Sequence, residues 1–294
     1  MLRNKDTLRV SIITPSFNQG EYLEETIQSV LNQTYDNIEY LIIDGGSKDN
    51  SVEIIKKYEQ QIAYWVSEPD SGQAEAINKG LKKATGDLLC WINSDDIFNS
   101  EDIAQRVEQF HAHPECDMIY GDIEQGTDLE HKQIRKGRQT DISKMLKRAE
   151  CPIPQQSAMW HRRVVEKVGY LEEKWHVLLD REYFTRIAAS CRIQYIPGAV
   201  GFFRFHKQSK SILEQIKWAD ELPIYYESIF DDNLYDLEPQ YLSCRNDSLF
   251  EIYFKCATLY ARFKKKTEAR SYYSKARQAS PLRYLFKCCT GKIR

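Results

Sequence analysis

No apolar run in these 294 residues approaches the ~20 needed to cross a bilayer, so no membrane-spanning helix is expected. The opening Met1-Leu2-Arg3-Asn4-Lys5-Asp6 also lacks the apolar stretch of a secretory leader, which points to the cytoplasm. The eight cysteines include no C-x-x-C pair, and only Cys288-Cys289 are adjacent. That spacing excludes the usual zinc sites and small disulfide frameworks, and it predicts reduced, mostly buried thiols. Neither G-x-G-x-x-G after the first strand nor G-x-x-x-x-G-K-[ST] is present, which removes a dinucleotide-binding turn and a P-loop. A diphosphate ligand must then be held by metal.

What is present reads as a soluble globular chain: 42% hydrophobic and 12% aromatic residues, with room for about two units of ~150 residues. The formal net charge of -2 hides a strong asymmetry. Residues 255–294 carry twelve Lys or Arg and one acid, Glu268, for a net of +11, and the remainder carries -13. A basic tail of this kind suits an anionic membrane surface or another polyanion, at about 1 kcal/mol per cation near anionic lipid. No nucleic-acid partner is expected.

Along the first hundred residues, strand and helix patterns alternate four times. Val10-Ser11-Ile12-Ile13-Thr14 precedes a helical stripe of Leu23, Ile27, Val30 and Leu31. The run Ile38 to Asp44 ends in Gly45-Gly46 and leads to a helix capped near Asp49-Asn50-Ser51. Ile62 to Val66 then precedes a helix with Ala74, Ile77, Leu81 and Ala84 on one face, and the strand Leu88-Leu89-Cys90-Trp91-Ile92 follows. Such alternation predicts an α/β fold, with a largely parallel sheet sandwiched by helices and function at the C-terminal strand ends.

Those ends are rich in small, acidic and amide residues. The most telling is Asn93-Ser94-Asp95-Asp96. Adjacent carboxylates facing a ligand crevice repel each other unless a cation or shared proton offsets the charge, so the pair suits a divalent metal carrying a diphosphate.

Five segments together resemble family 2 glycosyltransferases of the GT-A fold, over roughly residues 8 to 210: VSIITPSFNQGEYLEETIQSVLNQTY, YLIIDGGSKDNS, SEPDSGQAEAINKGLKKATGD, LLCWINSDD and CPIPQQSAMWHRRVVEKVGYLEEKWHVLLDREYFTRIA. The resemblance implies that Pro15, Phe17, Asn18 and Asp44 hold the nucleotide base and ribose, with Asp70, Gly72 and Gln73 lining the same pocket. Asn93-Ser94-Asp95 takes the place of the family's D-x-D motif, with an uncharged amide at its first position. Asn93 and Ser94 would then meet the donor. Asp95 becomes the first choice of metal ligand and Asp96 the second, and Mg²⁺ or Mn²⁺ fits such an oxygen-rich site. Asp180 matches the catalytic base of inverting members, although Leu179 replaces the Glu often found before it. Glu182 is expected to be a salt-bridge partner instead. The likeness also makes Gln156 and Trp160 acceptor-binding residues, and His206 a third metal ligand or diphosphate contact.

The expected organisation is a catalytic domain over 1–215 and a basic, Tyr-rich helical tail over 216–294. Ala257, Ala269, Ala276 and Pro281 stand at spacings that resemble one tetratricopeptide-like hairpin over 250–283. One such hairpin cannot bury its own face, so it must pack on the catalytic domain, on another protein or on a second copy, giving a homo-oligomer. The overall expectation is inverting transfer of a sugar from a nucleotide-diphosphate donor, UDP-linked by preference, to a glycan or lipid-linked acceptor in cell-surface polysaccharide or glycolipid synthesis. The protein would then work in the cytoplasm, at the inner face of the membrane. A nucleotidyltransferase is one rival, which would normally carry a Gly-rich basic loop where Thr14-Pro15-Ser16-Phe17-Asn18 stands. A non-catalytic nucleotide-sugar-binding module of a synthesis complex is the other.

Overall fold

Four βα steps open the chain in a computed structural model that describes residues 7–290: β1 (Val10–Ser16), α1 (Leu23–Leu31), β2 (Ile38–Asp44), α2 (Ser51–Lys57), β3 (Tyr64–Ser67), α3 (Gln73–Lys83), β4 (Leu88–Trp91) and α4 (Asp102–Ala112). Residues 1–6, on which the expectation of no secretory leader rests, and the last four residues of the basic tail lie outside the described residues. The chain continues through β5 (Met118–Gly126), β6 (Lys132–Arg135), α5 (Ile142–Arg148), a 3₁₀ turn at Gln155–Ser157, β7 (Met159–His161), α6 (Arg162–Val168), α7 (Leu179–Ser190) and β8 (Ile193–Arg204). Six helices follow: α8 (Lys210–Leu213), α9 (Gln215–Asp231), α10 (Pro239–Leu242), α11 (Arg245–Arg262), α12 (Lys266–Ala279) and α13 (Pro281–Cys289).

Two compact units result. The first takes residues 1–139 and 152–206, and the second takes 140–151 and 207–294. The expected division at 215 therefore lies inside the second unit, which also includes α5.

In the first unit the sheet order is β3-β2-β1-β4-β7-β5-β6, with β8 also paired to β5. Strands β1 to β4 are mutually parallel, as the alternating pattern predicts. Beyond β4 the sheet is mixed: β7 runs antiparallel to both β4 and β5, β6 is antiparallel to β5, and β8 is parallel to β5. The central strands are buried on both faces, which explains their continuous apolar runs. Helix α3 approaches β1 closely because Gly80 has no side chain; a Cβ there would stand 2.5 Å from Ile13 Cγ2. Buried Glu39 ties β1, β2 and the end of α3 together, accepting from Ser11 Oγ (2.5 Å), Thr85 N (2.6 Å) and Thr85 Oγ1 (2.7 Å). Burial alone would raise its pKa, but these donors and Arg9 hold it below the ordinary Glu value.

In the second unit α11 and α12 pack against each other. Ala257, Ala269 and Ala276 are buried and let the helices approach, while Tyr272 packs against Tyr260 and Tyr253 at ring centroids of 5.5 and 6.0 Å. The hairpin's apolar face is closed in part by α9 and α5. Tyr253 donates to Glu227 (2.7 Å), Tyr260 to Asp220 (2.5 Å), and Ser248 to the Leu146 carbonyl (2.5 Å). All eight cysteines are free, but only Cys90, Cys116 and Cys256 are buried. The expectation of mostly buried thiols fails because the Cys288-Cys289 pair rides on an outward face of α13 and three others are half-buried at helix and strand edges.

Candidate functional site

The C-terminal ends of β1, β2 and β4 and the loop after β3 form two linked clusters. At β2, the buried Asp44 carboxylate accepts from Gly46 N (3.1 Å), Ser47 N (2.9 Å), Ser67 Oγ (2.6 Å) and Ser47 Oγ (2.5 Å). Three of these four donors reach Oδ2 and only Ser47 Oγ reaches Oδ1, so the turn and Ser67 hold the carboxylate in place and leave Oδ1 room for a further donor. The loop after β1 is pinned to this turn: Asn18 N donates to Ser47 Oγ, and Lys48 N donates to Asn18 Oδ1, each at 2.8 Å. Asn18 adopts a φ of +51°, tolerated because its short polar side chain bonds locally. Phe17 is 58% exposed beside it, an uncovered ring of the kind that stacks on a base. Pro15 is buried within β1, so it shapes this loop without presenting a surface.

The loop after β3 spans the two clusters. Asp70 stands so close to Gly45 that a Cβ there would be 2.8 Å from Asp70 Oδ2, and Gly72, at a φ of +138°, turns the chain into α3. Burial raises the Asp70 pKa, opposed by the Gly72 amide. Gln73 then donates through Nε2 to Asn93 Oδ1 at 2.8 Å, reaching the end of β4.

At β4 the two aspartates part company. Asp96 is fully buried and accepts from Gln156 Nε2 (2.8 Å), Asn93 Nδ2 (3.0 Å) and the Arg204 amide (3.1 Å). Burial, then the neighbouring Asp95 charge, pushes its pKa well above the ordinary value. Asp96 is therefore committed to the protein, and the expectation of a second metal carboxylate is corrected: its oxygens are turned into the fold. Ser94 is also buried, at 5% exposure, and presents no side chain to a donor.

Asp95 turns outward and meets His206, with Oδ2 and Nε2 2.9 Å apart. These residues are 111 positions apart and are brought together by an antiparallel bridge between Ile97 and Phe202, which lays the end of β8 along the 93–96 loop. Arg204 locks the junction: its Nε donates to the Asp95 carbonyl (3.1 Å), and its guanidinium pairs with Glu25 and lies 5.2 Å from the Tyr22 ring centre. Tyr22 in turn packs on the His206 ring at 4.3 Å. Tyr22, Glu25 and Gln155, which bonds both Asn93 and the Trp91 carbonyl, were not singled out from the sequence. In the pattern, Tyr22 and Glu25 read as ordinary residues at the start of an amphipathic helix.

The fit to a divalent cation can be tested on this geometry. Asp95 Oδ2 and His206 Nε2, 2.9 Å apart, are an oxygen and a nitrogen donor of the kind a divalent cation takes. Among the described residues no group of three or more His, Cys, Asp or Glu side chains is arranged for metal. Asp95 and His206 would be the two protein ligands of such an ion.

Helix α7 is set by the core behind β4. Phe184 stacks on Trp91 at 5.6 Å, and Trp160 packs edge-on to both Trp91 (5.4 Å) and Tyr183 (5.7 Å). Trp160 is 0% exposed, so its expected role in stacking on an acceptor sugar is corrected: it is a core residue. Gln156 likewise serves Asp96 rather than an acceptor, from a buried 3₁₀ turn. Trp160→Ala is expected to cost about 3–5 kcal/mol of stability as a buried-aromatic deletion, read by chemical unfolding, while apparent acceptor affinity of the folded fraction stays unchanged.

Asp180 occupies the first turn of α7, half-buried, and accepts from the Arg181 amide at 2.7 Å. Burial raises its pKa above the ordinary Asp value, opposed by Arg181 and Arg135. Leu179, in the place of the familiar Glu, is 6% exposed and belongs to the core. Glu182 is buried against Arg186 at 2.9 Å, the i,i+4 ion pair expected of it.

Residues 11–169, more than half of the chain, match the profile described as Glycosyl transferase family 2. The chain belongs to glycosyltransferase family 2. This transferase is 34% identical over 187 residues to an uncharacterised glycosyltransferase of Mycobacterium tuberculosis, covering 62% of the chain and 70% of that relative. It is also 34% identical over 115 residues to the glycosyltransferase GlyG of Streptococcus pneumoniae, covering 38% of each. In fold it is similar to Staphylococcus aureus TarS 1–349, solved with UDP-GlcNAc (TM-score 0.60, 15% identity, 92% of both chains). It is similar as well to the Pyrobaculum calidifontis mannosyltransferase PcManGT, solved with GDP-Man and Mn²⁺ (TM-score 0.63, 17% identity, 97% of this chain and 79% of that one). The longer TarS structure is matched over 50% of its length. The shared fold is GT-A.

Proposed function

We propose that the transferase moves a sugar from a UDP-linked donor to an acceptor hydroxyl with inversion at the anomeric carbon. The observation that carries this reading is the convergence of Asp95 Oδ2 and His206 Nε2 at 2.9 Å, on the sheet edge that also holds Asn93, Gln73 and Asp70. The nucleotide-sugar complexes of TarS and PcManGT support a donor of this class.

Phe17 and the Asn18–Ser47 loop would cover the base, and Gln73 and Asn93 would offer amide groups to the ribose or sugar. Asp95 and His206 would hold a Mn²⁺ or Mg²⁺ ion, which when bound neutralises the developing charge of the leaving diphosphate. Asp180 accepts the proton of the acceptor hydroxyl as its oxygen forms the new bond to the anomeric carbon. The bond from that carbon to the phosphate oxygen breaks on the opposite face, and the nucleoside diphosphate leaves with its electron pair. The acceptor is a glycan or lipid-linked sugar of a cell-surface polymer or glycolipid.

A panel of UDP-, GDP- and dTDP-sugars incubated with enzyme and Mn²⁺, scored by nucleotide release, tests the reading. Release from a UDP-sugar that stops on chelation is expected. Release that chelation leaves untouched, or confined to another nucleotide, would count against it.

A further inference from the structure

Helix α13 is oriented against its own amphipathicity. Its cations face inward: Arg283 bonds Glu251 (2.5 Å) and Asp247 (2.9 Å), and Lys287 bonds Glu251 (2.8 Å). Both cations also lie over the Phe250 ring, at 4.9 and 5.1 Å, and Lys287 lies 4.2 Å from the Phe254 ring centre. Those clamps on α11 leave Leu282, Leu285, Phe286 and Cys289 on the outer face, at the i, i+3, i+4, i+7 spacing of a single stripe. Leu282 is 82% exposed, Leu285 58% and Phe286 70%. A continuous apolar stripe left in water marks a contact surface.

Charge decides what covers it. Exposed Lys264, Lys265, Lys266, Arg270 and Arg277 belong to the adjoining hairpin, within a tail of net charge +11. A second copy would bring another tail of the same net positive charge to this helix. An anionic lipid surface matches both features, since it accepts apolar side chains at the headgroup boundary and attracts a tail of net positive charge. A nine-residue helix is too short to cross a bilayer and lies along its surface, and no helix among the described residues is long and apolar enough to span one.

We propose that α13 docks this chain on an anionic membrane surface, with Leu282, Leu285 and Phe286 entering the headgroup boundary. Flotation of the full chain with vesicles tests this, comparing phosphatidylcholine containing phosphatidylglycerol with phosphatidylcholine alone. The wild-type chain is expected to float with the anionic vesicles and to bind neutral ones at least about tenfold more weakly, since a few cations near the surface suffice for that ratio. Leu285→Glu/Phe286→Glu should lose about tenfold or more in binding to anionic vesicles, with its thermal unfolding unchanged because both side chains are already in water. Equal flotation of variant and wild type, equal binding to neutral vesicles, or no flotation at all would overturn the proposal. So would a wild-type dimer that the two substitutions dissociate while vesicle binding is absent. None of these readouts requires turnover, so failure of the donor assignment leaves the test intact.

Discussion

Asp180→Asn is expected to lower kcat by about 10²–10⁴-fold, the usual contribution of a positioned general base, while leaving nucleotide affinity unchanged. The amide keeps the shape of the side chain and one acceptor oxygen for the Arg181 amide, so the first turn of α7 persists. What it loses is the capacity to take a proton. The pH dependence gives a second signature. Burial raises the Asp180 pKa above its ordinary 3.8, and the base works only when ionised. The wild-type kcat/KM should therefore fall as pH drops through that raised value, by tenfold per unit below it. The variant should show no such limb. An unchanged acid limb in Asp180→Asn would assign it to another group and remove Asp180 from the reaction.

Asp95→Ala is expected to reduce transfer by about 10³-fold, because a cation held there would supply several kcal/mol of charge stabilisation to the leaving diphosphate and about 4 kcal/mol corresponds to that factor. His206→Ala should follow in the same direction with a smaller loss, since Asp95 would remain to hold the ion. Neither change should unfold the protein. Asp95 contacts the rest of the loop mainly through its backbone carbonyl, which Arg204 holds in either variant. Steady-state kinetics over a Mn²⁺ series checks the assignment: the losses should appear as a raised metal requirement, partly recovered at high Mn²⁺ in His206→Ala. A loss that Mn²⁺ never modulates would mean that these residues bind no ion.

Much of this was legible in residue patterns, and the failures have physical reasons. The four βα steps could be read because β1, β2 and β4 are buried apolar runs and the helices carry one apolar stripe. The β5–β8 half could not, because its pairings join segments as far apart as Met118 and Ile193 and no local pattern records direction. Within the site, Asp95 and Asp96 are equivalent in sequence. They become different only when the returning β8 backbone and Gln156 close over Asp96 and leave Asp95 facing His206. Trp160 misled for a related reason. On a three-residue strand there is no periodicity to separate a core face from an open one, and burial against Trp91 is a tertiary fact. Asp44 could be located from sequence, but not that the Ser47 and Ser67 hydroxyls and two backbone amides converge on its carboxylate.

The most direct test is a calorimetric titration of UDP into wild-type protein and Asp95→Ala, each with and without Mn²⁺. Wild-type protein should bind UDP with Mn²⁺ at least about tenfold more tightly than without it, and Asp95→Ala should bind equally weakly in both conditions. Metal-independent binding in the wild type, or a full metal effect retained in Asp95→Ala, would contradict a cation held between Asp95 and His206.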